Sequence, residues 1–141
     1  MTYLDASVIV AILGRESDGD ALLQRLDTST RPLLISPPGL FEAVISLASK
    51  KARDTGAKLD AAMIQQAQSA VSRFLDEIGA QEVAVTPVMG RAAIEAAKRY
   101  GQVIGSPAGL NFGDCLAYAC AEEHGAALLY KGNDFSQTDL G

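Results

Sequence analysis

Apolar residues in this chain fall into two alternating rhythms. Short runs without helical spacing, at Thr2-Tyr3-Leu4, Leu33-Leu34-Ile35, Glu82 to Val85 and Ala127 to Tyr130, read as strands. Longer segments between them repeat an apolar residue every three or four positions and read as helices. Ser7 to Leu13 is so uniformly apolar that it predicts a buried helix. Ser17-Asp18 opens a second helix, with Leu22, Leu23 and Leu26 on one face, and Arg31-Pro32 ends it. Pro37 and Pro38 start a third, where proline fits because a first-turn amide has no partner to lose; its apolar positions include Leu40, Phe41, Val44, Ile45 and Leu47. Asp60 caps a long helix from Ala61 to Ile78, closed by Gly79, and Pro87 starts another that reaches Tyr100. Gly101 to Asn111 has no periodicity and reads as a mobile loop. Asp114 opens or caps the last helix, which runs through Glu123 to a stop at Gly125.

Strands that alternate with helices imply one domain, residues 1–141, with a mostly parallel sheet covered by helices on both faces. In such sheets ligands bind beyond the carboxyl ends of the strands. Four acids are delivered to that edge. Asp5 and Asp134 follow strand runs, and Glu42 and Asp114 fall near helix starts. Each alone has a plain reading: Asp5 and Asp114 as helix caps, Glu42 as a dipole complement, Asp134 as a turn residue. Together they repel, since two carboxylates ~4 Å apart cost about 4 kcal/mol at an effective dielectric near 20. A raised pKa or a divalent cation relieves that cost, and the set reads as a metal site.

Composition narrows the choice. The chain is 48% hydrophobic and 21% charged, which is globular, and no apolar run approaches the ~18 residues of a membrane span. Ser7 to Leu13 has no basic stretch before it and no cleavage site after it, so a cytoplasmic location is expected. Cys115 and Cys120 stand about 140° apart around a helix, and with the single His124 they cannot supply a zinc set. A net charge of −5 excludes a broad electrostatic grip on nucleic acid but not a metal-bridged one, because the ion carries the positive charge toward a phosphate. Most basic residues lie on solvated helix faces; Arg15, Arg91 and Lys131 are the candidates for phosphate contact.

Asp5-Ala6-Ser7 with Val8 to Leu13 and Glu16, then Glu42, then Leu110-Asn111-Phe112-Gly113-Asp114-Cys115-Leu116-Ala117-Tyr118-Ala119, then Leu128 to Phe135 with Thr138-Asp139, resemble the PIN-domain ribonucleases, and among them the VapC toxins of toxin–antitoxin pairs. The resemblance implies a three-layer α/β/α PIN-like fold and an endoribonuclease dependent on Mg²⁺ or Mn²⁺. Asp5, Glu42, Asp114 and Asp134 would form its catalytic and metal-binding site, with Ser7, Asn111 and Thr138 in support. It also implies a homodimer and a cognate VapB-type antitoxin, through which alone the protein would meet DNA. One departure stands out: the stretch before the Asn-Phe-Gly-Asp block, Gln102 to Gly109, carries no charge where relatives are often basic.

Two readings compete. A receiver-like phosphoacceptor domain also has acids at strand ends and a lysine after its last strand, but it needs an acid pair after the first strand, where Asp5 stands alone, and an aspartate after the third, where Val85-Thr86-Pro87 stands. A catalytically inactive binding module is the other; it gives no reason for four acids.

Overall fold

The computed structural model describes all residues, 1–141. In chain order the elements are β1 (Thr2–Leu4), α1 (Ala6–Leu13), α2 (Gly19–Asp27), β2 (Leu33–Ile35), α3 (Pro37–Thr55), α4 (Ala61–Ile78), β3 (Gln81–Glu82), α5 (Pro87–Tyr100), α6 (Phe112–His124) and β4 (Ala127–Leu129). The four strands form one parallel sheet in the order β3-β2-β1-β4.

The pleat divides the core. Leu4, Leu33, Ile35 and Leu129 point to a layer built with Val8 and Ile9 of α1, Leu22 and Leu26 of α2, Leu47 of α3 and Val71 of α4. Tyr3, Leu34 and Leu128 point to the opposite layer, with Met89 of α5 and Tyr118 of α6. The result is a three-layer α/β/α sandwich.

Several boundaries differ from the sequence reading. β3 is Gln81–Glu82 rather than Glu82 to Val85: as an edge strand it pairs only with β2, after which the Val83 amide makes one last bond to the Ile35 carbonyl at 2.8 Å. Helix α6 starts two residues before Asp114, because Asn111 is its N-cap. Gly101 to Asn111 is not featureless. A 3-10 turn (Gln102–Ile104) follows a backbone bridge between Gly101 and Leu110, so the loop is tied at its base. No helix is long and apolar enough to cross a membrane.

β1 is central to the site. The chain leaves it toward β2 on one side, and β4 returns on the other, so a crevice opens at its carboxyl end.

Candidate active site

Asp5 is the residue at which β1 turns into α1. Its amide donates to the Leu129 carbonyl at 3.0 Å, continuing the β1–β4 ladder, while its side chain caps α1 by accepting the Ser7 amide at 3.1 Å. It is 4% exposed. Burial pushes its carboxyl pKa up, the Ser7 hydrogen bonds pull it partly back, and the charge of Asp134 raises it again.

Glu42 comes from the second turn of α3, which Ser36 caps behind β2. Its carboxyl pKa is raised, first by burial and then by Asp5 and Asp114, with no hydrogen bond to offset either. Asp114 sits in the first turn of α6 in a reciprocal capping box. Asn111 Oδ1 accepts the Asp114 amide at 2.9 Å, and Asp114 Oδ2 accepts the Asn111 amide at 3.1 Å. Even so, burial together with Asp5 and Asp134 leaves its pKa pushed up to about 6. Asp134 lies in the turn after β4. Phe135, fully buried against Tyr130, anchors that turn from below.

All four acids line one cavity of about 240 Å³, together with Ser7, Asn111 and Lys131. The three raised pKa values share a first cause, burial, and a smaller second one, the repulsion of the neighbouring acids.

The donors fit a hard cation, being all oxygen: carboxylates, the Asn111 amide and serine hydroxyls. No three of the acids converge into a closed ligand cage. A Mg²⁺ ion would need no such cage, since it takes one or two carboxylates directly and keeps several waters.

The whole chain, residues 2–140, matches the PIN domain model. It is 46% identical to a VapC ribonuclease of Rhizobium meliloti, with 100% of both chains aligned. The chain belongs to the PIN-domain family, in its VapC branch. Ribonuclease VapC28 of Mycobacterium tuberculosis is 38% identical over 97% of this chain and 93% of its own. The crystal structure of Mycobacterium tuberculosis VapC20, a sarcin-ricin loop cleaving toxin, superposes with a TM-score of 0.69 at 16% identity, over 96% of this chain and 93% of that one, and so shares the fold.

In this PIN domain Ser7 works in two directions: its amide caps with Asp5, and its hydroxyl accepts the Lys131 amide at 3.1 Å. Lys131 forms one wall of the cavity, but its ammonium is committed to Glu16 and lies 3.6 Å from Asp18, so it is a cross-link rather than an open cation. Thr138 is not among the lining residues. Its hydroxyl donates to the Phe135 carbonyl at 2.7 Å and accepts the Leu140 amide at 3.2 Å, which shapes the turn beyond Asp134. Arg15 and Arg91 are exposed and also lie outside the cavity lining.

Two lining residues went unassigned in the sequence reading. Glu16 was visible there only as part of the family pattern, and its pairing with Lys131 spans 115 positions. Ser46 follows Glu42 by one helical turn, an i,i+4 relation that could have placed it on the same face of α3.

Proposed function

We propose that this PIN domain is a divalent-metal-dependent endoribonuclease and the toxin of a toxin–antitoxin pair. The observation that carries the reading is the cavity itself: four carboxylates from four separate segments line it at the switch point of the sheet, with raised pKa values at Asp5, Glu42 and Asp114 and no free cation among them. The relatives' naming as ribonucleases supplies the substrate class.

Asp5 and Asp114 would hold Mg²⁺ or Mn²⁺ directly, and Glu42 and Asp134 would hold it through water or complete a second ion position. An ion held there would supply positive charge toward the scissile phosphate and lower the pKa of a bound water. One of the carboxylates takes a proton from the attacking water as its oxygen bonds to phosphorus. The P–O3′ bond breaks opposite the attack, and the departing oxygen takes a proton from solvent water, leaving a 5′-phosphate and a 3′-hydroxyl.

A VapB-type antitoxin would cover this site. A basic segment complements the cavity, and a groove of about 280 Å³ between α3 and α4, lined by Pro37, Leu40, Phe41, Val44, Ile45 and Ile64, offers an apolar seat for a helix. Contact with DNA would come only through that antitoxin; a homodimer and a cytoplasmic location complete the reading.

The test is to express wild type and Asp5→Asn without antitoxin and sequence new 5′-phosphate RNA ends. Discrete ends from wild type alone support the reading. Growth arrest without new ends, or the same ends from Asp5→Asn, would end it.

A further inference from the structure

The acidic cavity is joined to a second, chemically opposite one. Glu42 and Ser46 line both, and across them lies a notch of about 290 Å³ walled by Pro38, Phe41, Ile45, Phe112 and Leu116. Two phenylalanines stand open at its rim, Phe41 at 68% exposure and Phe112 at 82%. Phe112 is the first residue of α6, so its backbone is fixed by the same capping box that fixes Asp114, two residues on. Gly113, between them, carries the Glu42 carboxylate packed against its α-carbon.

The surroundings say how a polyanion could be held here. Net charge is −5, the cavity lysine is committed to Glu16, and the neighbouring loop from Gln102 to Gly109 has no charged residue. Backbone phosphates thus find little beyond the ion at the acids. An open aromatic face beside the reacting centre offers the other means of holding a single strand, base stacking, which is sequence-tolerant because every nucleobase has a π-face.

Building on the ribonuclease reading, we propose that the Phe41–Phe112 notch is a nucleobase subsite: the base adjoining the scissile phosphate leaves its neighbours and stacks on Phe112, with Phe41 as the facing wall. The substrate is therefore RNA that is unpaired at the cut. Glu42 and Ser46 mark the boundary where the base side ends and the phosphate side begins. Because stacking is uncharged, the preference for a base resists added salt, while the phosphate contribution declines.

The experiment uses the full wild-type chain with Ca²⁺ in place of Mg²⁺, so that all four acids are intact and a divalent ion is held without turnover, the strands being checked intact after each titration. Binding of a labelled oligo-adenylate is compared with that of an abasic sugar-phosphate strand of equal length. The parent should prefer the adenylate on the order of tenfold, Phe112→Ala should abolish that preference, and Phe112→Trp should restore it. Sedimentation of each variant accompanies the titrations. Equal binding of both strands by the parent, or an unchanged preference in Phe112→Ala, overturns the stacking proposal alone. So does a Phe112→Ala defect that follows a change in oligomeric state, since the face would then belong to a second copy. Binding of neither strand would remove the ribonuclease reading and this one together.

Discussion

The carboxylate of Glu42 rests against the α-carbon of Gly113, so closely that a Cβ there would lie 2.9 Å from the Glu42 carboxyl carbon. Glycine is required at this point for access rather than for backbone freedom. Gly113→Ala should push the flexible end of Glu42 aside while α6 stays folded. A displacement of about 1 Å at a reacting group costs roughly 100-fold in rate. Cleavage of an RNA substrate is expected to fall by that order, with less than about 1 kcal/mol lost in a urea melt. A melt shifted far more than the rate would mean that the contact supports folding.

Protonation of the acids should be visible in stability. Asp5, Glu42 and Asp114 all have pKa values raised in the folded state, so folding takes up protons. Their contribution is then fully present below the unfolded carboxylate range and is lost as pH rises through the folded values, for Asp114 between about 4 and about 6. Thermal melts in chelator should decline across that window, and Asp114→Asn should flatten the decline. A slope unchanged by Asp114→Asn would show that the cluster is not its source.

Metal should reverse the trend. An ion that binds only the folded state stabilises it by mass action. Above about pH 6, Mg²⁺ is expected to raise the melting temperature of wild type and to leave Asp5→Asn nearly unmoved. In chelator Asp5→Asn should be the more stable of the two, since it retains the cap and removes a buried charge. A matching Mg²⁺ response in both proteins would place the ion elsewhere.

Beyond Asp134 the chain is fastened at Asp139, which accepts the Tyr118 hydroxyl at 2.5 Å and the Tyr100 hydroxyl at 3.3 Å, with Arg99 at 3.8 Å. Tyr118→Phe removes the shortest of these bonds without touching the cavity, at a stability cost of about 1 kcal/mol. The turn that holds Asp134 then loosens, so kcat should fall with KM nearly unchanged and Mg²⁺ affinity weakened. A change in KM alone would assign Tyr118 to substrate binding instead.

Arg15 is the one non-glycine residue with positive φ, at 53°. Arg15→Gly should relieve this and stabilise the fold by up to about 1 kcal/mol. If its exposed guanidinium meets RNA phosphate, the same change lowers RNA affinity and the salt dependence together, as a titration at two ionic strengths would register.

Much of this was legible in the chain because an unbroken apolar run marks a strand covered on both faces, as at Leu33-Leu34-Ile35, and a 3.6-residue repeat marks a helix buried along one face, as in α4. The pattern failed at β3. Val83 and Val85 look like strand, yet at a sheet edge pairing ends after two residues and propensity has no partner to act on. Asp5 and Asp134 were legible through the rule that parallel strands deliver their following residues to one edge, while Glu42 and Asp114, near the starts of α3 and α6, were legible as acids at helix starts within the family pattern. The commitment of Lys131 to Glu16 and Asp18 was not, because it depends on how the α1–α2 connection folds back over β4. Nor was the exposure of Phe112, since a phenylalanine inside a family pattern reads as core until its surroundings are known.

The ladder bond from the Asp5 amide to Leu129 bears on how the protein is made. Until residues 127–134 leave the ribosome, β1 can pair only with β2 and is a sheet edge, Ser7 lacks the Lys131 amide, and the cavity lacks one of its acids. A nascent chain therefore cannot close its site until β4 and the turn after it have emerged, and that timing comes from strand order alone.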